Sequence, residues 1–326
     1  MTPDGSILSI LFRILPVFLM IFLGVVARRR GLVDGPGTRM LAVLLTHLFY
    51  PALIFSSITA SFTLPELLQN WTLPAGALLI MATGCLIGLA ASRLVDLRRT
   101  GERRSFLFQC TINNYAFLPL PLVMAFWGEK AVGQLVFSTL GSEFAVWTIG
   151  VYLLSGHRPG RGALRHLLSV PMCAMLAALC VVVARAGIGH AGWEAWFSQG
   201  LVARTGSSIS WGLTLFGNAT VPMAMVVAGS RMAALRRADI MAAHQYLLVV
   251  LRLIVVPAAV LTLLMLLPFP EQARRVLMLI AVMPSAIASV TLSELYRADA
   301  AFAASTVLLT HVVCLVTVPV WLWLLF

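Results

Sequence analysis

The sequence predicts an all-α integral membrane protein of ten transmembrane helices, arranged as two inverted repeats of five, with helices 4 and 9 broken and crossing. Three observations carry this expectation. First, 60% of the 326 residues are hydrophobic and only 11% are charged, with a mean hydropathy of +0.95; soluble chains carry about 25% charged residues. Second, the basic residues fall on alternate loops. Third, four apolar stretches are interrupted in mid-span by a proline with small or polar neighbours.

Runs of about 20 apolar residues mark candidate spans. They fall near 7–27, 40–60, 72–92, 105–125, 131–154, 166–186, 207–230, 240–267, 273–293 and 301–325. The first run has Asp4 rather than a basic cluster before it and ends in Arg28-Arg29-Arg30, so it is expected to be a span and not a cleaved leader. Little is left for an extramembrane domain. The five cysteines, Cys85, Cys110, Cys173, Cys180 and Cys314, are scattered within spans without metal-ligand or disulfide spacing, and packing is their expected role.

The net charge of +11 does not read as a nucleic-acid surface, because its distribution is topological. Arginines follow the first span (Arg28, Arg29, Arg30, Arg39), the third (Arg93, Arg98, Arg99, Arg103, Arg104), the fifth (Arg158, Arg161, Arg165), the seventh (Arg231, Arg236, Arg237) and the ninth (Arg297). That puts 16 of the 23 Lys and Arg residues on one side. The other side has Lys130, Arg185, Arg204, Arg274 and Arg275, with Arg13 near the start of the first span. By the positive-inside rule both termini then lie outside the cytoplasm, in a multi-pass protein of the cell membrane. Only Arg252 lies well inside a span.

Proline removes an amide donor and clashes with the carbonyl four residues back, so Pro51, Pro121, Pro222 and Pro284 should each break or kink a helix. In a bilayer the freed groups persist only if buried in protein or lining a watery cavity. When residues 1–155 are set beside 166–326 the prolines fall into step: Pro16 with Pro171, Pro51 with Pro222, Pro121 with Pro284, and less closely Pro74 with Pro257. Five spans per repeat invert the second half, the architecture of alternating-access carriers. Residues 156–165, rich in Gly and Pro, are the expected cytoplasmic linker. Residues 187–205, with Trp193, Trp196 and Phe197, are expected to form an interfacial stretch.

These features resemble the auxin efflux carrier family, the permease branch of a larger bile acid and arsenite transporter-like superfamily. The resemblance covers nearly the whole chain. It rests on Asn114 through Pro121 in span 4, on Pro222 through Gly229 in span 7, and on Met283-Pro284, Ser293 through Tyr296 and Ala304 through Thr310 at the end. It implies ten spans, inverted repeats, and spans 4 and 9 crossing at their prolines. It also implies transport of organic anions such as auxin, malonate or malate. The chain departs from the family in having Pro119 where a Gly is usual, and a bulky Asn113-Asn114-Tyr115.

A broken helix offers amide donors at the start of its second half and carbonyls at the end of its first; the donor end can hold a carboxylate without a formal cation. The expected substrate site therefore gathers Asn113, Asn114, Tyr115, Pro119 and Pro121 from span 4, and Tyr50 and Pro51 from span 2. Asn218 and Pro222 from span 7, with Pro284, Ser285 and Ser289 from span 9, complete it. Thr220 is a further polar candidate, although Ser and Thr in membrane helices most often bond their own backbone. Ionisable residues deep in spans are functional candidates. Glu143 is the clearest candidate for ion coupling, followed by His47 and His311, while Arg252 is expected to make an interhelical bond. Glu294, Arg297 and Asp299 are expected to be solvated at the end of span 9.

No serine-hydrolase elbow, zinc-binding His-Glu-x-x-His or intramembrane Asp pair occurs, so an enzyme is not expected, nor a metal or cofactor. No phosphate-binding loop occurs, so a gradient or exchange is expected to drive transport. The expected function is a secondary active transporter of a small organic anion working by alternating access. The alternatives are a sodium- or proton-coupled carrier of another solute, or a channel. Expected partners are the anion, H+ or Na+ as coupling ion, and the lipid bilayer, with no nucleic acid; a homodimer is left open.

Overall fold

The computed structural model describes residues 7–95, 97, 100–156, 169–189, 200–234 and 243–325. Most of the expected linker and the aromatic stretch at 193–197 lie outside the described residues. The helices are α1 (Ile7–Arg29), α2 (Gly35–Leu44), α3 (Tyr50–Ser61), α4 (Leu64–Gln69), α5 (Thr72–Ala91), α6 (Thr100–Thr111), α7 (Pro119–Ala145) and α8 (Val151–Ser155). They continue as α9 (Val170–Ile188), α10 (Gly200–Asn218), α11 (Thr220–Ala233), α12 (Ala243–Val250), α13 (Val256–Leu266), α14 (Glu271–Ala281), α15 (Ala288–Leu295) and α16 (Ala300–Leu325).

Eight helices among the described residues are long and apolar enough to cross a membrane, which makes this a multi-pass membrane protein. The expected spans at 105–125 and 273–293 are not continuous helices. Each is interrupted, at 112–118 and at 282–287, and the pieces α6, α14 and α15 are too short to cross alone. The second piece of the earlier one runs from Pro119 into α7, which turns at Gly128, where a φ of 77° suits a residue without a Cβ.

Pro51 and Pro222 each sit beside a local irregularity of the helix rather than a wide opening. Five-residue π-helical turns lead from α2 to α3 (Leu45–Phe49) and from α12 to α13 (Leu251–Val255), each ending two residues before a proline, Pro51 or Pro257. The wider turn moves the carbonyl that the ring would strike, so the helix runs on. At Pro222 only Ala219 separates α10 from α11. Pro16 sits inside an unbroken α1, whereas its expected counterpart Pro171 lies in the first turn of α9 behind the N-cap Ser169.

Packing is close where small residues meet. The helices α1 and α11 lie side by side, and a Cβ on Gly24 would run into the carbonyl of Val226, while one on Gly229 would run into the carbonyl of Ile21. This reciprocal contact lets two backbones touch, the arrangement that small residues serve between membrane helices. Replacing Gly229 by Val is expected to destabilise the protein by about 1–3 kcal/mol through overpacking, read as a lower melting temperature in detergent.

Candidate functional site

The two interruptions meet. Asn113 and Ser285 pair as an isolated antiparallel bridge. The Asn114 amide donates to the Pro284 carbonyl at 2.8 Å, and the Ala286 amide donates to Ile112 at 3.2 Å. Each broken helix thus supplies the hydrogen-bond partners that the other lost, which is what an interruption at membrane depth requires.

Three more sets of contacts fix this crossing. Asn113 is fully buried and donates from Nδ2 to the Ile280 carbonyl at 2.5 Å. A polar seam runs between α6 and α15, where Ser105 faces Ser293 at 3.2 Å and the Ser285 hydroxyl donates to the Gln109 carbonyl at 3.3 Å. Residues 105, 109 and 113 repeat every four positions, as do 285, 289 and 293, so each set holds one helix face or its extension. Gln109 Oε1, Asn113 Oδ1 and Ser289 Oγ are buried there without a hydrogen-bond partner among the described residues.

Arg252 holds the back of the crossing. Its side chain is wholly buried, and the guanidinium donates from Nε to Met283 O at 3.2 Å, from Nη1 to Cys110 O at 3.2 Å, and from Nη2 to Ala281 O at 2.8 Å. These carbonyls belong to the ends of α6 and α14 and to the break after α14, where helix geometry leaves acceptors unpaired and partial negative charge collects. The interhelical role expected of Arg252 is the one it has.

Asn114 lies on the other side of the bridge. Its Oδ1 accepts from the Leu118 amide at 3.3 Å, and its Nδ2 is 3.5 Å from His311 Nε2. His311 Nδ1 lies 2.8 Å from the Val307 carbonyl and must be the protonated nitrogen in that bond, which leaves Nε2 as acceptor for Asn114. Tyr115 donates from its hydroxyl to Glu143 Oε1 at 2.8 Å, and Trp147 donates from Nε1 to Oε2 at 3.0 Å. Tyr50 is buried, meets Phe117 in a tilted contact with ring centroids 5.3 Å apart, and lines with Thr139 and Glu143 a cavity of about 10 Å³. That is the size of one water at most.

The remaining expected site residues divide. Pro119, Pro121, Pro284, Ser285 and Ser289 are buried at the crossing, and Pro51 is buried next to Tyr50. Asn218 and Pro222 are exposed, while Thr220 between them is buried. His47 is also exposed, with Nδ1 at 3.0 Å from the Val43 carbonyl and 3.1 Å from Thr46 Oγ1 in its own turn. Asp299 is partly exposed and also structural: its carboxylate caps α16 through the Phe302 amide at 2.9 Å, and its carbonyl accepts from Ser105 at 2.9 Å. The Arg297 carbonyl accepts from Arg104 at 2.8 Å, although the Arg297 side chain and Glu294 are exposed.

A cavity of about 270 Å³ opens between α1, α2 and α11 on one wall and α15 and α16 on the other. Arg28, Arg39 and Arg231 line it with Thr38, Ser230 and Thr291. Thr38 and Ser230 hold each other at 2.6 Å across the first wall. In the sequence these arginines mark only sidedness. Their joint location is invisible in the chain order, because residues 28, 39 and 231 converge only through the packing of α1 against α11.

The family model described as membrane transport protein matches residues 9–322. The chain belongs to this membrane transport protein family. The resemblance to auxin efflux carriers drawn from its motifs stands on the same match. It is also similar to an uncharacterized transporter of Methanocaldococcus jannaschii, with 22% identity over 318 residues, covering 96% of this chain and 97% of that one.

Replacing Asn113 by Ala removes its side-chain bond to the Ile280 carbonyl, which the Met283 amide still meets at 3.2 Å. The expected cost is about 0.5–1.5 kcal/mol, measured as a lower melting temperature with normal membrane insertion.

Proposed function

We propose that the protein is a secondary transporter of a small organic anion, a carboxylate or dicarboxylate, working by alternating access. The observation that carries this reading is the cavity whose walls bring three guanidinium groups to the second half of a broken helix. Arginine forks match carboxylate geometry and keep their charge at any physiological pH.

The N-terminal end of α15 adds to this. Pro119 and Pro121 remove two amide donors from the start of α7, so that end is poorly suited to hold a carboxylate. The start of α15 contains no proline, and although its Ser289 and Val290 amides bond to the Ala286 and Ile287 carbonyls, Ile287, Val290 and Thr291 from this region line the arginine cavity. We therefore place the anion at the α15 end of the crossing, with Asn114 and Tyr115 near its opposite limit. Glu143, held by Tyr115 and Trp147, is the residue best situated to couple a proton.

The ten-span, inverted-repeat layout with halves at 1–155 and 166–326 belongs to this proposal. It is supported by the pairing of elements: α1 packs on α11 as α9 packs on α3, and α6 packs on α16 as α14 packs on α7. Exchanging the two halves turns each pair into the other. With the arginine-rich side as cytoplasm, both termini lie outside and the cavity receives solute from within the cell.

Uptake by proteoliposomes across a panel of mono- and dicarboxylates, with and without a pH gradient, is expected to show saturable, counterflow-competent transport; ion conductance without saturation would contradict the reading. Asn114→Ala is expected to abolish that transport while leaving membrane insertion intact. Arg39→Gln and Arg231→Gln are each expected to raise KM about ten- to a hundredfold, the worth of one charge-assisted hydrogen bond, more for dicarboxylates than for monocarboxylates.

A further inference from the structure

Arg252 occupies a place with a specific electrostatic character. In transporters with broken helices, unwound carbonyls and the C-terminal ends of half-helices are where a coupling cation is held. Here such carbonyls converge from both broken helices, Cys110 from α6 and Ala281 and Met283 from α14 and the break that follows it. Each nitrogen of one guanidinium donates to one of them. Among the described residues no carboxylate pairs with Arg252, so its charge is balanced by carbonyl dipoles alone.

We propose that Arg252 is a cation built into the chain, filling the position that a bound Na+ would otherwise take, so that the back of the crossing holds no metal ion and needs none. A guanidinium suits this role because its planar fork reaches three acceptors in fixed directions, whereas a lysine ammonium is a compact point charge. The arginine comes from the π-helical turn Leu251–Val255, and the Leu253 carbonyl in that turn is taken up by Trp321 Nε1 at 2.8 Å. The irregular turn is thus itself anchored, which fixes the direction in which residue 252 leaves its helix. The role is separate from anion recognition in the arginine-lined cavity, since Arg252 is fully buried and does not line that cavity.

The test reads stability and not transport, so its result does not depend on which solute is carried. The full chain is purified in detergent and melted in sodium chloride and in choline chloride of equal ionic strength. The wild type is expected to melt at the same temperature in both salts. Arg252→Ala is expected to melt about 5 °C or more lower in choline, the order expected when buried acceptors lose a charged partner. Millimolar methylguanidinium is expected to recover at least half of that loss in Arg252→Ala and to leave the wild type unchanged. Arg252→Lys, which keeps the charge without the fork, is expected to fall between the two and serves if the alanine variant does not fold. A wild type that sodium stabilises over choline would overturn the proposal, as would Arg252→Ala or Arg252→Lys melting with the wild type.

Discussion

A helix that stops inside a bilayer leaves carbonyls that water cannot reach, and the crossing in this protein stands on how those carbonyls are satisfied. Each unpaired backbone group in hydrocarbon costs several kcal/mol, whereas an arginine at the centre of a membrane helix costs about 3 kcal/mol on insertion scales. One guanidinium that answers three carbonyls, as Arg252 does for Cys110, Ala281 and Met283, sets the cost of its own burial against that of three unpaired groups. The bridge between Asn113 and Ser285 completes the arrangement from the other side. With both in place, the chain can keep irregular backbone at depth and present polar groups there.

The prolines illustrate two ways of meeting the same constraint. At Pro51 and Pro257 a π-helical turn just upstream absorbs the clash within one helix, and no partner is needed. At 112–118 and 282–287 the helix opens altogether, and only another open helix can close the hydrogen bonding. The difference lies in the neighbours. Asn113 and Ser285 carry side chains able to bond across the gap, and Pro119 with Pro121 removes donors at two points in one turn. Leu48, Phe49 and Ala52 around Pro51 offer nothing to bond, so continuing the helix is the cheaper solution there.

Much of this was legible in the residues themselves. Hydropathy and alternating arginines announce a multi-pass protein, and Pro121, Pro284 and the Asn113-Asn114 pair mark the two openings. What the sequence could not convey are relations between distant residues. Gly24 and Gly229 are ordinary glycines until α1 and α11 touch. Ser105 and Ser293 are ordinary serines, 188 positions apart, until two half-helices lie antiparallel. Arg252 was recognisable as unusual, yet its three acceptors come from two other helices and the loop after one of them. The kind of irregularity beside Pro51 and Pro222, a π-helical turn in one and a single-residue step in the other, has no signature in composition. Asn218 and His47 stood out as polar residues in apolar runs, but the helix phase turns both outward.

The two walls of the large cavity differ in one respect. All three of its arginines belong to α1, to α11 and to α2, whereas the facing surfaces of α15 and α16 contribute Ile287, Val290, Thr291 and Val307 and no charge. A solute that travels with the uncharged wall would leave its counter-ions behind on the stationary one. Its electrostatic hold would weaken with every ångström of relative slip, so displacement itself would do the work of release. Capture and discharge would then need no titration of the arginines, only a shear between a charged face and a neutral one.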